Sequence, residues 1–257
     1  MLVEQEAFIP NSNNLQLIEN VAVHVIQYDS KFNDWVGKYV KGQKHRLAFD
    51  LDMIQKYLNK ESEILEVGSS PLLLTGSLKN LGYKIQGIDI NPERFASAIT
   101  SLKLDVKKCD IEQEPLPIKN ECFDGVIFNE MFEHLRINLI FTMREVYRVT
   151  KPGGLLLLST PNLRSYRGIV NFLFKNKSYS LSHSIYDEYD KLNKLGHMGH
   201  MREYTTRDVM DFLEKIGFQT QVIIYRGKYY KKTEQILVML LPSLRPFFTI
   251  IARKHNF

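Results

Sequence analysis

The chain has 257 residues, of which 44% are hydrophobic and 25% charged, enough apolar material for a full core and too much for a disordered or fibrous protein. Its net charge of +5 comes from 34 bases against 29 acids, which permits an anionic partner without demanding one. Two cysteines, Cys109 and Cys122, with no C-x-x-C pair exclude a disulfide scaffold and a zinc ribbon, and a reducing, cytoplasmic compartment fits best.

Residues 1–60 read as an N-terminal helical cap. The acidic start, Met1 to Ala7, lacks the basic stretch of a signal peptide. Leu47, Leu51, Ile54 and Leu58 recur at helical spacing and predict a helix over 45–59. Lys38, Lys41, Lys44, His45 and Arg46 form a basic cluster, a weak footprint for RNA because no recognised RNA module accompanies it. The aromatic stretch Tyr28 to Tyr39, with Trp35, reads as a packing helix in preference to a cover over a ligand.

From residue 61 to 161 strands and helices alternate. Strands are expected at Glu63–Val67, Lys84–Asp89, Val106–Cys109, Asp124–Asn129 and Leu155–Thr160, with helices over 72–81, 92–102 and 135–149. Such alternation predicts an α/β fold with a doubly wound, mostly parallel, Rossmann-like sheet of seven strands. Right-handed crossovers then bring every parallel strand's carboxyl end to one edge, where ligands bind. Ile64-Leu-Glu-Val-Gly-Ser-Ser-Pro71 is a strand running into a small-residue turn. Asp89 follows Gly68 by 21 positions, at the end of the next strand. That spacing suits a turn that admits a ligand to the backbone and an acid that takes ribose hydroxyls, and so an adenosine-containing cofactor.

After Pro161 the alternation stops. Residues 162–203, rich in tyrosine and histidine (Tyr166, Tyr179, Tyr186, Tyr189, His183, His197, His200), read as a lid or substrate insertion. Residues 204–257 complete the sheet. Thr205-Thr-Arg-Asp208 has the form of a capping box, Gly217 is a helix stop, and Gln219–Tyr225 and Phe247–Arg253 are strand-like, one of them an antiparallel edge strand. The apolar run from Ile236 to Ala252 is broken by Pro242, Ser243, Arg245 and Pro246, so no membrane span is expected.

These pieces, in order, resemble the class I S-adenosylmethionine-dependent methyltransferases, in the subgroup with Glu-His-Leu after strand four. The segments that carry the resemblance are Leu65-Glu-Val-Gly68, Gly87-Ile-Asp-Ile90, Lys108-Cys-Asp-Ile111, Phe123-Asp-Gly-Val-Ile-Phe128 with Glu133-His-Leu135, and Arg148 to Leu155 with Ser159-Thr-Pro-Asn162. The resemblance implies that Glu66 reaches the methionine amino group and that Gly68, Ser69 and Ser70 let backbone pass close to the cofactor. It implies Asp89 on the ribose, Ile90 on adenine, Asp110 on the exocyclic amine and Ile111 on the ring. Asn129 and Glu130 would lie near the methionine moiety and the methyl group. Ser70 and Leu72 stand where the family usually has its second and third glycines, which puts cofactor affinity in question.

The residues also suggest a metal. Glu130, Glu133 and His134 share one face if their segment is helical, and His197 or His200 would complete a divalent-ion site. E-x-x-E-H resembles two metal-using branches, one acting on ubiquinone precursors and one on the terminal 2′-hydroxyl of small RNAs. Glu-His-Leu also occurs widely without a metal. Glu130, His134 and His200 are the catalytic candidates, with Tyr204 beside His200 as a further substrate contact or base. The reading is methyl transfer to an oxygen or nitrogen of a small-molecule acceptor. The alternatives are a metal-assisted RNA 2′-O-methyltransferase, a nicotinamide-dependent oxidoreductase, disfavoured by the missing G-x-G-x-x-G, and a non-catalytic binding protein of the same fold.

Overall fold

A computed structural model describes residues 2–5, 9–178, 184–195, 199–227, 229 and 231–255. Tyr179, His183 and His197 of the tyrosine- and histidine-rich segment lie outside the described residues. In chain order the elements are β1 (Leu2–Gln5), α1 (Ser12–Tyr28), α2 (Asn33–Tyr57), β2 (Glu63–Val67), α3 (Leu73–Asn80), β3 (Lys84–Asp89), α4 (Ala96–Ser101), β4 (Asp105–Lys108) and β5 (Phe123–Asn129). They continue with α5 (Leu139–Val149), β6 (Thr150–Pro161), α6 (Tyr166–Lys175), α7 (Ile185–Leu195), α8 (Thr206–Ile216), β7 (Phe218–Arg226), α9 (Lys232–Leu240) and β8 (Phe247–Lys254).

The strands form one sheet in the order β1-β7-β8-β6-β5-β2-β3-β4. The seven expected strands are present, and β1 adds an eighth, parallel to β7 at the outer edge. Only β8 runs against the rest. It is not an edge strand: it lies between β6 and β7 and pairs antiparallel with both. Both pairings together bury its backbone polar groups on either side.

Side-chain alternation along the strands divides the interior into two layers. Ile64, Ile127, Leu157 and Ile224 face one way, onto α1, α2 and α3. Leu65, Val126, Phe128, Leu156 and Leu158 face the other, onto α5 and α8. The helix expected at 45–59 is the second half of the longer α2. The expected 92–102 helix begins as a 3₁₀ turn, Pro92–Phe95, before α4. Lys151 to Gly154 does not separate α5 from the next strand. It sits within β6 as a bulge, since Phe123 pairs with Thr150 while Gly125 pairs with Leu155. The capping box forms, with Thr205 Oγ1 and Asp208 each accepting the other's backbone N–H, and Gly217 ends α8 at φ 114°.

Strand order reverses at β2, flanked by β5 on one side and β3 on the other, so a crevice opens where the carboxyl ends of β2 and β5 diverge. Gly68 and Asn129 stand at that point.

Candidate active site

The turn after β2 is built from backbone. The amides of Gly68 and Ser69 both donate to Ile88 O, at 2.8 and 3.0 Å, which ties the turn to β3. Gly68 has φ 80°, a backbone that strains any larger residue, and a Cβ there would lie 2.5 Å from Met131 Sδ and would have to displace that side chain. Leu72, in the third glycine position, has φ 69° at the start of α3, and its side chain is buried in the layer beneath α1 and α2. Its bulk therefore points into the core and does not narrow the ligand side of the turn.

Asp89 ends β3 and is fixed by two backbone donors, Ser70 N on Oδ2 and Asn91 N on Oδ1, each at 2.9 Å. Asp110 is held likewise by Glu112 N at 3.1 Å and Gln113 Nε2 at 2.6 Å. Asp89, Ile90, Asp110 and Ile111 line one cleft of about 320 Å³, with Gly68 and Ser70 at its inner end and Trp35 at its side. Trp35 also packs on Phe95, ring centroids 5.9 Å apart.

An inner recess continues the cleft under the turn, lined by Tyr39, Arg46, Glu66, Ser69, Ser70 and Asn129. Ser69 Oγ, Ser70 Oγ and Asn129 Oδ1 are buried there with no hydrogen-bond partner among the described residues. A group of buried orphans around one recess is costly unless a ligand satisfies them. Glu66 Oε2 accepts from Thr75 Oγ1. Burial pushes the Glu66 carboxyl up to about 8, while the Thr75 hydrogen bond and the nearby Arg46 charge work against the rise.

Arg46 went unrecognised in the sequence, where it reads as one of a surface cluster. It turns inward from α2, with Nη1 at 3.2 Å from Asp50 Oδ2 and Nη2 donating to Tyr39 Oη at 3.0 Å. Burial works against its charge, and Tyr39, Asp50, Glu130 and Glu66 together outweigh that, so its pKa stands above the ordinary arginine value. The signal available in the sequence was Arg46 and Asp50 at i and i+4 within an apolar helix face. Arg226, at the end of β7, also went unrecognised. It is buried and donates to Glu130 Oε1 at 2.9 Å and to Thr249 Oγ1 at 2.8 Å.

Glu130 follows β5 with φ 53°, a left-handed backbone uncommon for a side chain of this kind. Arg226 and Ser159 Oγ, the latter at 3.0 Å, hold its carboxylate. The expected face shared by Glu130, Glu133 and His134 does not form, because the backbone at Glu130 is left-handed and only a 3₁₀ turn, Phe132–His134, follows. Glu130 is therefore not in the metal-type cluster. Glu133, His134 and His200 are, each offering a ligand atom within 4.8 Å of the others. Glu133 is fully buried. Its Oε2 accepts from Thr160 Oγ1 at 2.8 Å, and its Oε1 lies 3.8 Å from His200 Nε2. Burial, then the charge of Glu130, raises the Glu133 carboxyl pKa. The rings of His134 and His200 meet edge to face at 4.7 Å. Tyr204 packs edge to face on Phe132, ring centroids 4.8 Å apart, and burial raises its hydroxyl pKa.

Residues 65–158 match the family model described as a methyltransferase domain. A rat ubiquinone biosynthesis O-methyltransferase, mitochondrial, is 32% identical over 123 residues, 45% of this chain and 35% of that protein. Ubiquinone biosynthesis O-methyltransferase of Xanthomonas oryzae is 32% identical over 106 residues, 39% and 44% of the two chains. The matched region thus spans less than half the length of these curated relatives. Among solved structures, a S-adenosylmethionine-dependent methyltransferase from Thermotoga maritima superposes over 91% of this chain and 99% of its own, with a TM-score of 0.55 at 18% identity. The Burkholderia thailandensis 1,6-didemethyltoxoflavin-N1-methyltransferase, solved with its substrate and S-adenosylhomocysteine, covers 93% and 90% with a TM-score of 0.55 at 13% identity. Those two likenesses establish the fold. Residues 65–158 thus resemble a methyltransferase domain, set on the fold that these two S-adenosylmethionine-dependent enzymes share.

Proposed function

We propose that this chain, on the premise of that resemblance to a methyltransferase domain, transfers a methyl group from S-adenosylmethionine to a small-molecule acceptor, at oxygen in preference to nitrogen. The observation that carries the reading is the convergence of Gly68, Asp89 and Asp110 on one cleft, with Asn129 in the recess that adjoins it at Gly68, at the point where strand order reverses. The oxygen preference rests on the named activity of the ubiquinone-pathway relatives.

The residues present fit the cofactor. Asp89 holds its carboxylate ready for the two ribose hydroxyls, and Ile90 and Ile111 offer apolar surface to adenine. Asp110 accepts from the exocyclic amine. In the recess Glu66 takes the methionine ammonium and Arg46 the carboxylate. Asn129 Oδ1, Ser69 Oγ and Ser70 Oγ supply the remaining polar contacts. When bound, the cofactor supplies a methyl group already activated as a sulfonium. The chain's own work is then to align the acceptor with that carbon and to exclude water. Glu130, fixed by Arg226 and Ser159, orients the acceptor beside the methyl position. His200 or His134 accepts the acceptor's proton, a role suited to an imidazole near neutral pH. The acceptor side is assigned to the described residues around His200, where Met201 N donates to Glu133 O at 2.8 Å.

A divalent ion is a finer reading, favoured by one observation. Glu133, His134 and His200 are a plausible nitrogen and oxygen donor set, and buried Glu133 Oε1 accepts no hydrogen bond among the described residues. A cation there would lower the pKa of an acceptor hydroxyl. Full activity in chelator would refute it. The RNA alternative loses ground because Arg46 faces inward and Lys44 pairs with Glu19 at 2.6 Å.

The test is calorimetric titration with S-adenosylhomocysteine, beside an NADH control, followed by an acceptor screen with and without EDTA. Micromolar binding with no NADH signal supports the cofactor assignment. A folded protein that binds neither would overturn it in favour of a non-catalytic role.

A further inference from the structure

Two helices show amphipathicity turned inside out. On α9 the inward positions are Glu234 and Val238, while Ile236, Met239 and Leu240, at i, i+3 and i+4, are 56–70% exposed. On α6 the inward position is Gly168, while Phe172, Leu173 and Phe174 are 65–80% exposed. An ordinary surface helix buries its apolar stripe and gives water its charges. The two helices are tied together at their first turns. Arg167 Nη2 meets Glu234 Oε2 at 3.0 Å, and Tyr166 packs edge to face on Tyr229. Both leave the sheet at the same edge, α6 after β6 and α9 after the parallel β7, and that edge is the one on which the cofactor cleft opens.

Charge decides what could cover such a face. Segment 163–178 contains Arg164, Arg167, Lys175 and Lys177 and no acid. On α9 and its approach, Lys231 and Lys232 are exposed, and the acid in that helix, Glu234, is turned inward onto Arg167. Helix α7 differs, since Asp187, Glu188 and Asp190 exceed its two lysines, and it is left out of the footprint. An apolar face of Phe, Leu and Met bordered by exposed bases, with its acid withdrawn, is complementary to an anionic bilayer: the apolar side chains enter the acyl boundary and the bases meet the headgroups. No helix among the described residues is long and apolar enough to cross a membrane, so the contact is peripheral.

We propose that the exposed faces of α6 and α9 dock this protein on the surface of an anionic lipid bilayer. The inference goes beyond the methyl-transfer reading and is tested without cofactor. The intact chain is sedimented with vesicles of phosphatidylcholine alone and of phosphatidylcholine with phosphatidylglycerol, in low and high salt. Binding is expected to the anionic vesicles and to weaken with salt. Each base at the surface contributes about fivefold, so Lys175→Glu with Lys177→Glu should lower partitioning by roughly 25-fold or more. Phe172→Ser with Leu173→Ser should abolish it. Circular dichroism and urea unfolding check that each variant remains folded. Absence of sedimentation by the wild type, or sedimentation unchanged in both variants, overturns the proposal. So does a concentration-dependent dimer in light scattering that the Phe172 and Leu173 variant dissolves while vesicles bind neither form, because the occupant is then a second copy.

Discussion

The raised carboxyl of Glu66 makes cofactor binding a proton-linked event. Burial lifts this group to about 8, so at neutral pH the cofactor-free protein holds it protonated. A methionine ammonium seated against it requires the carboxylate, so binding should release the proton. The ionised fraction is about one in a hundred at pH 6 and about one half at pH 8, which predicts roughly 50-fold tighter S-adenosylhomocysteine binding at the higher pH. At pH 7, titration in two buffers of different ionisation enthalpy should report release of about 0.9 proton per ligand. Glu133 and Asp50 are also raised by burial, but neither lines the cofactor recess, Asp50 lying behind Arg46. Glu66→Gln therefore isolates the effect and should bind weakly with affinity flat in pH. The unliganded protein should show the opposite trend in stability. Its Glu66 keeps a proton in the native state that the unfolded chain, at an ordinary 4.5, has lost. Native stability therefore falls as pH rises from 4.5 through about 8, and Glu66→Gln flattens that slope. Wild-type affinity independent of pH, or a pH dependence that survives in Glu66→Gln, would refute the placement of the ammonium on Glu66.

Three further outcomes are expected. Asp89→Ala removes a carboxylate assigned to two ribose hydroxyls, and S-adenosylhomocysteine affinity should fall by roughly 100-fold in calorimetry, with a fall below tenfold counting against the assignment. Arg226→Met leaves Glu130 without its buried partner and should cost about 3–5 kcal/mol in urea unfolding, or roughly 6–20 °C in Tm. Adding Glu130→Gln should restore most of that loss, and no recovery would show that the ion pair is not the cause. Trp35 is the single tryptophan, 44% exposed, and it lines the cleft. Saturating S-adenosylhomocysteine should shift its emission to the blue and reduce acrylamide quenching. Unchanged emission at calorimetric saturation would place the adenosine elsewhere.

Much of this architecture was legible because burial on both faces leaves a distinctive strand signature. Glu63–Val67 and Lys84–Asp89 appear where expected because apolar residues are bounded by turn formers, and Glu66 and Asp89, next to and at their carboxyl ends, mark the crevice edge. The capping box at Thr205 was readable because its chemistry is local. Other features are set by tertiary pairing. Nothing in Gln219–Tyr225 or Phe247–Arg253 says which of two similar strands enters the middle of the sheet. β1 is short and acquires its conformation from β7. The grouping of Glu130 with Glu133 failed because it assumed helical periodicity where a left-handed residue resets the direction of the chain. Arg46 and Arg226 look like surface charges in sequence. Their inward orientation depends on Asp50 and Glu130, the latter 96 positions removed from Arg226 along the chain.

The position of β8 has a consequence for synthesis. Both β7 and β1 reach the rest of the sheet through this strand, which follows them along the chain. During translation, β6 with its Leu155–Leu158 run must wait for its antiparallel neighbour until residue 247 and beyond have left the ribosome. Through that interval the four-leucine stretch of β6 presents an open hydrogen-bonding edge, the condition under which nascent chains join one another. A premature stop upstream of Phe247 would cut β7 and β1 off from the sheet and leave the edge of β6 open, giving a truncated product prone to aggregate.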